Sequence, residues 1–348
     1  MLVVLLALSA CSPVAPAITP SEAVATSSPS PLPSATAQLA LCNGYPAQSL
    51  VTTTSTIDVP AGATRLTIFY STHTHGLLVR QDGVTFAQYV GVVRTLQAAL
   101  PDPAHAVFLG NGDDLNNRLC GSDTGSRHVV DAFNAAGLAV DTFGYNEVAG
   151  ADSDVTPDEL RGLVAASRFT WVSANVLEPD SRDVFAASQG ARRWTIRVVG
   201  GIKVGITGLV SLEPAAGFRV PAFGREMRAL DPVEAMKAVV PEMRAAGADL
   251  VIVMSHMHVS DMARVARETS GIDAILGSHC CTMGFLDVVN GTILSDGLDN
   301  MNEVAQLDLV LAAGRVIAHA FSLHGVSRAS PADAAVVRAL EPYAPWTR

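Results

Sequence analysis

Short β-rich apolar runs recur along the chain, separated by helical patterns and ending in polar residues, and this alternation constrains the fold more than any other feature. The runs are Leu66 to Tyr70, Ala106 to Leu109, Ala139 to Phe143, Phe169 to Val172, Leu250 to Met254 and Asp273 to Leu276. Strands alternating with helices mark an α/β domain. The clearest helix start is Asp231-Pro-Val-Glu, with an N-cap, a proline at the first helical position and Glu234 placed for a capping box. Pro241 is expected to kink or restart that helix. Antiparallel hairpins are expected around Gly200-Gly201, Asn290-Gly291 and Gly314. The sheet system is therefore mixed, and no Gly-rich dinucleotide loop or Walker sequence follows a strand.

Composition narrows the functional classes. The 348 residues carry 33 Asp and Glu against 23 Lys and Arg, a formal net charge of −10, so no basic face is expected and nucleic acid is excluded as a partner. With 49% hydrophobic and 16% charged residues there is material for a large core. The longest uncharged apolar run, at the N-terminus, is about half of the roughly 20 residues a bilayer-spanning helix needs, so no transmembrane helix is predicted.

That N-terminal run ends in Leu8-Ser9-Ala10-Cys11, which resembles a bacterial lipobox. The resemblance implies a signal peptide over residues 1–10, cleavage before Cys11, acylation of that cysteine and anchoring of an extracytoplasmic protein to the membrane. A basic n-region is missing, so a late start at Met1 and a frayed hydrophobic tail stay open as readings. Residues 11–41 hold six of the nineteen prolines and, as charged residues, only Glu22, the composition of an extended tether. The folded body is expected over 42–325, with a short tail over 326–348. A monomer is expected.

Five strand ends carry residues suited to cations: Thr72-His-Thr-His-Gly76, Gly112-Asp-Asp114, Gly144-Tyr-Asn-Glu147, Ser255-His-Met-His258 and Gly277-Ser-His-Cys-Cys281. Ligands of α/β sheets gather outside the carboxyl ends of strands, so five such segments suggest one constellation of imidazole, carboxylate, amide and thiolate. Taken singly, each has a blander explanation. His73 and His75 fit a solvated strand end, Asp113 a turn, His256 and His279 satisfied core histidines, and Cys281 a small buried hydrophobe.

In order and content the five blocks resemble those of the calcineurin-like metallophosphoesterases, in particular the bacterial 5′-nucleotidase branch, where they read D-x-H-G, G-D, G-N-H-E, S-H and G-H-x-H. Val172-Ser-Ala-Asn-Val176, the glycine-containing run from Gly201 to Leu209 and Ala248 to His256 also match, so the likeness covers about residues 64–323. It implies a four-layer α/β sandwich of two mixed β-sheets flanked by helices, and a two-metal site that hydrolyses phosphoesters. Carried over residue by residue, Asp113 would bridge two divalent ions, His75 would join the first, and His256 and His279 would bind the second.

Three positions depart from the family pattern. His73 stands where the family has aspartate and Cys281 where it has histidine, so the summed ligand charge is kept if the thiol ionises on the metal. The implied first site of His73, His75, Asp113 and Cys281 is softer than the family's and favours zinc or iron over manganese or magnesium. In the third block, Tyr145 takes the family's asparagine ligand position and Asn146 that of its catalytic histidine; with a one-residue slip Asn146 is the ligand. Asn146 and His256 are the catalytic candidates. Without a histidine in that block, turnover is expected to be slow or confined to good leaving groups, since general acid catalysis is typically worth about 10²–10⁴ in rate. His258 is a possible substitute.

Cys42 and Cys120 are candidates for a disulfide in an oxidising compartment. The expected function is metal-dependent hydrolysis of a small phosphoester, a nucleotide among the candidates. Related thiosulfohydrolases share the blocks, which leaves the scissile bond open. The alternative is a catalytically impaired metal-binding or ligand-binding surface lipoprotein that retains the fold.

Overall fold

The computed structural model describes residues 57–343 apart from 72, 77, 116–124, 149–154, 212–226, 278, 280–283 and 298–299. The expected signal peptide, Cys11, the tether and all five cysteines lie outside the described residues. Among the described residues no helix is long and apolar enough to cross a membrane.

Fourteen strands are described. In chain order they are β1 (Thr64–Tyr70), β2 (Ala106–Leu109), β3 (Val140–Thr142), β4 (Thr170–Val172), β5 (Val176–Leu177), β6 (Trp194–Val199), β7 (Ile202–Val210), β8 (Arg228–Ala229), β9 (Leu250–His256), β10 (Ala274–Leu276), β11 (Phe285–Val289), β12 (Thr292–Asp296), β13 (Glu303–Ala312) and β14 (Arg315–Gly325). Two six-stranded sheets result, in the orders β14-β13-β1-β2-β3-β4 and β11-β12-β10-β9-β7-β6, with β5 and β8 paired apart. Strands β1 to β4 run parallel, as do β7, β9, β10 and β12, while hairpin partners add antiparallel edges. Both sheets are thus mixed, and the expected hairpins at Gly200-Gly201, Asn290-Gly291 and Gly314 are formed.

Side-chain alternation explains the layering. Leu66, Ile68 and Tyr70 of β1 meet Leu250, Ile252 and Met254 of β9 in the core between the sheets. Phe69 faces the opposite way, toward helices Phe86–Ala98 (α1) and Arg127–Ala136 (α2), and Val251 and Val253 face helices Pro232–Ala245 and Val259–Glu268. Strands buried on both faces read as continuous apolar runs, which is why they stand out in the sequence. The result is helix, sheet, sheet, helix.

Three local expectations need correction. Asp231 caps its helix by accepting from the N–H groups of Val233 and Glu234, but Glu234 pairs with Lys237 rather than closing a capping box. That helix also continues through Pro241 as one element. The lost N–H bond there is offset by tertiary packing, since Val239, Val240 and Met243 all sit in the helix-side core. The residues after Gly325 are no mere tail: helix Ala334–Leu340 packs on α1 and α2, and Val326, Val336 and Leu340 are buried.

The sheets touch closely near their ligand-bearing ends. On β7, Gly208 lies against Thr142 of β3, whose hydroxyl donates to the Val172 carbonyl of β4 at 2.8 Å. A Cβ at Gly208 would overlap the Thr142 hydroxyl and lie 2.7 Å from the Val172 carbonyl oxygen. Gly208→Ala is therefore expected to destabilise by about 1–3 kcal/mol, the usual cost of overpacking. A denaturant midpoint unchanged from wild type would show that the two sheets can separate at no cost.

Candidate metal centre

The loops that follow β1, β2, β3, β9 and β10 meet at the carboxyl ends of the parallel strands, where no neighbouring strand claims their side chains. Each loop is fixed by a specific contact. After β1, the His75 N–H donates to the Asp113 carbonyl at 2.8 Å and that of Gly76 to Asp114 at 2.9 Å. His75 has φ 51°, so the segment is not extended there, and with His73 buried the reading of the pair as a solvated strand end is corrected. A turn, not strand alternation, aims the two rings. Their centroids are 4.7 Å apart.

Asp113 sits at φ 57° after Gly112 at φ 80°, a left-handed pair that turns its carboxylate inward. Gly144 is required beside it, because a Cβ at that position would overlap the Asp113 backbone nitrogen and lie within 3.0 Å of its Cα. Asp113 Oδ1 accepts the Asn146 backbone N–H at 2.6 Å. Its Oδ2 faces His256 Nε2 at 3.2 Å and His75 Nε2 at 3.7 Å. Asp113, His256 and His279 each offer a ligand atom within 4.8 Å of the others. The His73 ring lies 5.7 Å from that of His256, and Tyr145 stands edge-on to His279 at 4.4 Å and to His256 at 5.3 Å.

The structure thus brings together the side chains of five of the seven metal-ligand candidates, His73, His75, Asp113, His256 and His279, with Asn146 joined to them through its backbone. Cys281 lies outside the described residues. Asn146 contributes its backbone N–H to Asp113, while its side-chain nitrogen is buried without a hydrogen-bond partner among the described residues. His258 occupies the N-cap position of the helix that follows, and its ring stands 5.2 Å from that of His279.

Burial favours the neutral imidazole at His73 and His279, beside one carboxylate. Burial would raise the Asp113 carboxyl, yet His256, His75 and His279 outweigh it and hold its pKa well below the carboxylate range. Burial, with the neighbouring His75 and His256, lowers His73 well below the ordinary imidazole value. Burial and His256 bring His279 to about 3. Uncharged imidazole is the form that binds a metal.

Three residues that the sequence patterns did not single out complete the setting. Asn300 Oδ1 lies 3.0 Å from His75 Nδ1, which leaves Nε2 for the centre. The buried Glu147 carboxylate accepts four backbone N–H groups, those of Asp113, Asp114, Leu115 and Gly144, at 2.7–3.0 Å. Burial and the Asp113 charge push the Glu147 pKa up, against the pull of its N–H donors. Asp114 accepts from the Thr74 N–H and hydroxyl, and burial pushes its pKa up to about 6. Position within a cation-like block hinted at Glu147 and Asp114, whereas nothing local marks Asn300.

The donor set suits a divalent cation. His256 is fully buried with its Nε2 3.2 Å from Asp113 Oδ2, and its Nδ1 and His279 Nδ1 lack a hydrogen-bond partner among the described residues. Buried polar atoms are normally satisfied, so orphaned nitrogens on two imidazoles beside a carboxylate fit a bound ion.

No family model matches the chain. The chain is 24% identical over 257 residues to the 2′,3′-cyclic-nucleotide 2′-phosphodiesterase/3′-nucleotidase of Salmonella typhimurium, covering 66% of this chain and 39% of that protein. It is 26% identical over 234 residues to the snake venom 5′-nucleotidase of Gloydius brevicauda, covering 65% and 38%. The chain therefore matches less than two fifths of the length of these relatives. Among solved structures, the calcineurin-like phosphoesterase YfkN from Bacillus subtilis superposes with a TM-score of 0.63 at 18% identity, over 82% of this chain and 98% of that one. The two mixed sheets layered between helices are thus the fold of a calcineurin-like phosphoesterase, and the chain's remote relatives are nucleotidases and nucleotide phosphodiesterases.

Proposed function

We propose that the chain is a metal-dependent hydrolase of small phosphoesters, held at the outer face of a bacterial membrane by an acylated Cys11. The observation that carries this reading is the convergence of Asp113, His256 and His279, each offering a ligand atom within 4.8 Å of the others, with His256 Nε2 3.2 Å from the carboxylate. His279 and His256 would hold one divalent ion, His73, His75 and Cys281 a second, and Asp113 both. Bound divalent ions supply polarisation of phosphoryl oxygens and a water acidified toward neutral pH.

The chain's own residues define the rest of the reaction. Asn300 orients His75, and Glu147 fixes the turn from which Asp113 projects. The Asn146 amide can donate a hydrogen bond to a phosphoryl or leaving oxygen but cannot transfer a proton to it. Substrates whose leaving group departs as a stable anion are therefore favoured. Nucleotides are the natural class to test, given the names of the relatives.

The test combines elemental analysis of protein purified without added metal with a screen of aryl phosphates and nucleotides. Retained zinc or iron, and turnover of the aryl ester well above that of an alkyl phosphate, are expected. No tightly held metal and no turnover with any divalent ion would overturn the proposal.

A further inference from the structure

Asn111 lies one residue before Gly112-Asp113 and is fully buried between the two sheets. Its Oδ1 accepts the His73 N–H at 2.9 Å, and its Nδ2 donates to the Ser255 carbonyl at 3.1 Å. The first bond belongs to the loop after β1 in one sheet, and the second to the end of β9 in the other, next to His256. The same amide fills the space over Gly277, where a Cβ would overlap its nitrogen, and Gly277 precedes His279 by two residues. One neutral side chain therefore touches the backbone beside His73, His256 and His279.

We infer that Asn111 is a positioning residue that sets the separation between the imidazoles contributed by the two sheets; this rests on the metal centre proposed above. The role needs a donor and an acceptor at the two ends of one short planar group. Aspartate keeps the acceptor for His73 but turns an oxygen toward the Ser255 carbonyl. Serine is too short to span the gap. Neither change removes a ligand, so the effect must pass through ligand placement. Losing such an outer partner typically costs about 10–100-fold in metal affinity.

Asn134 supplies a matched control. It makes the same pair of backbone bonds, accepting from the Arg168 N–H at 2.6 Å and donating to the Ala166 carbonyl at 3.1 Å, on a helix away from the centre. Co(II) titration followed by visible absorption, with far-UV circular dichroism and thermal melting, is the test on wild type, Asn111→Asp, Asn111→Ser and Asn134→Asp. The Asn111 variants are expected to keep the wild-type far-UV spectrum, bind Co(II) about 10–100-fold more weakly and show an altered ligand-field band. Asn134→Asp is expected to melt earlier yet bind Co(II) within about twofold of wild type, because distant sites act independently. Unchanged Co(II) affinity and spectrum in both Asn111 variants would overturn the inference. Equal weakening by Asn134→Asp, or Asn111 variants that fail to fold, would reduce Asn111 to a general stabilising residue and also overturn it. A wild type that takes up no Co(II) would overturn the metal centre itself, and the inference with it.

Discussion

Asp113→Asn is expected to strip the protein of tightly held metal and lower aryl phosphate turnover by more than the roughly 100-fold that marks the upper end for outer partners of a metal site. The substitution isolates charge from shape. Asparagine tolerates the left-handed backbone at this position, and its amide oxygen can still accept the Asn146 N–H. What disappears is the single negative charge that faces His256 and His75. Those imidazoles stay in place, so a folded but metal-poor protein is expected. Elemental analysis with far-UV circular dichroism checks it, and wild-type metal content in the variant would remove Asp113 from the centre.

The second large effect is expected on stability. Glu147→Ala leaves four buried backbone N–H groups without an acceptor. Each unsatisfied donor costs about 1–3 kcal/mol, so a loss of at least about 4 kcal/mol is expected from guanidinium unfolding. Glu147→Gln should be destabilised too, because whichever way its amide turns, an NH₂ group meets two N–H donors. A midpoint within error of wild type for both variants would mean that water reaches these groups and that the carboxylate is not what shapes the turn.

The legibility of the molecule follows from the range over which each feature is determined. Strands such as β9 could be located because both faces are buried, which makes the local sequence uniformly apolar. The hairpins announced themselves through Asn290-Gly291 and Gly200-Gly201, residues that accept a positive φ. The orientation of His73 and His75 could not be read in the same way, because it depends on hydrogen bonds to Asp113, Asp114 and Asn111, about forty residues away. The helix containing Pro241 misled for a related reason, since packing on the second sheet outweighs a local preference. Asn111 and Asn300 carried no recognisable signal. Their partners are a main-chain carbonyl 144 residues away and an imidazole 225 residues away.

The grouping of donors on both sides of the sandwich has a consequence for assembly. His73, His75 and Asp113 follow strands of one sheet, whereas His256 ends a strand of the other and His279 follows one. A nascent chain that has formed only its first βα units therefore holds only part of the cage. Once the halves dock, a captured ion would fasten them to each other as a rivet fastens two plates.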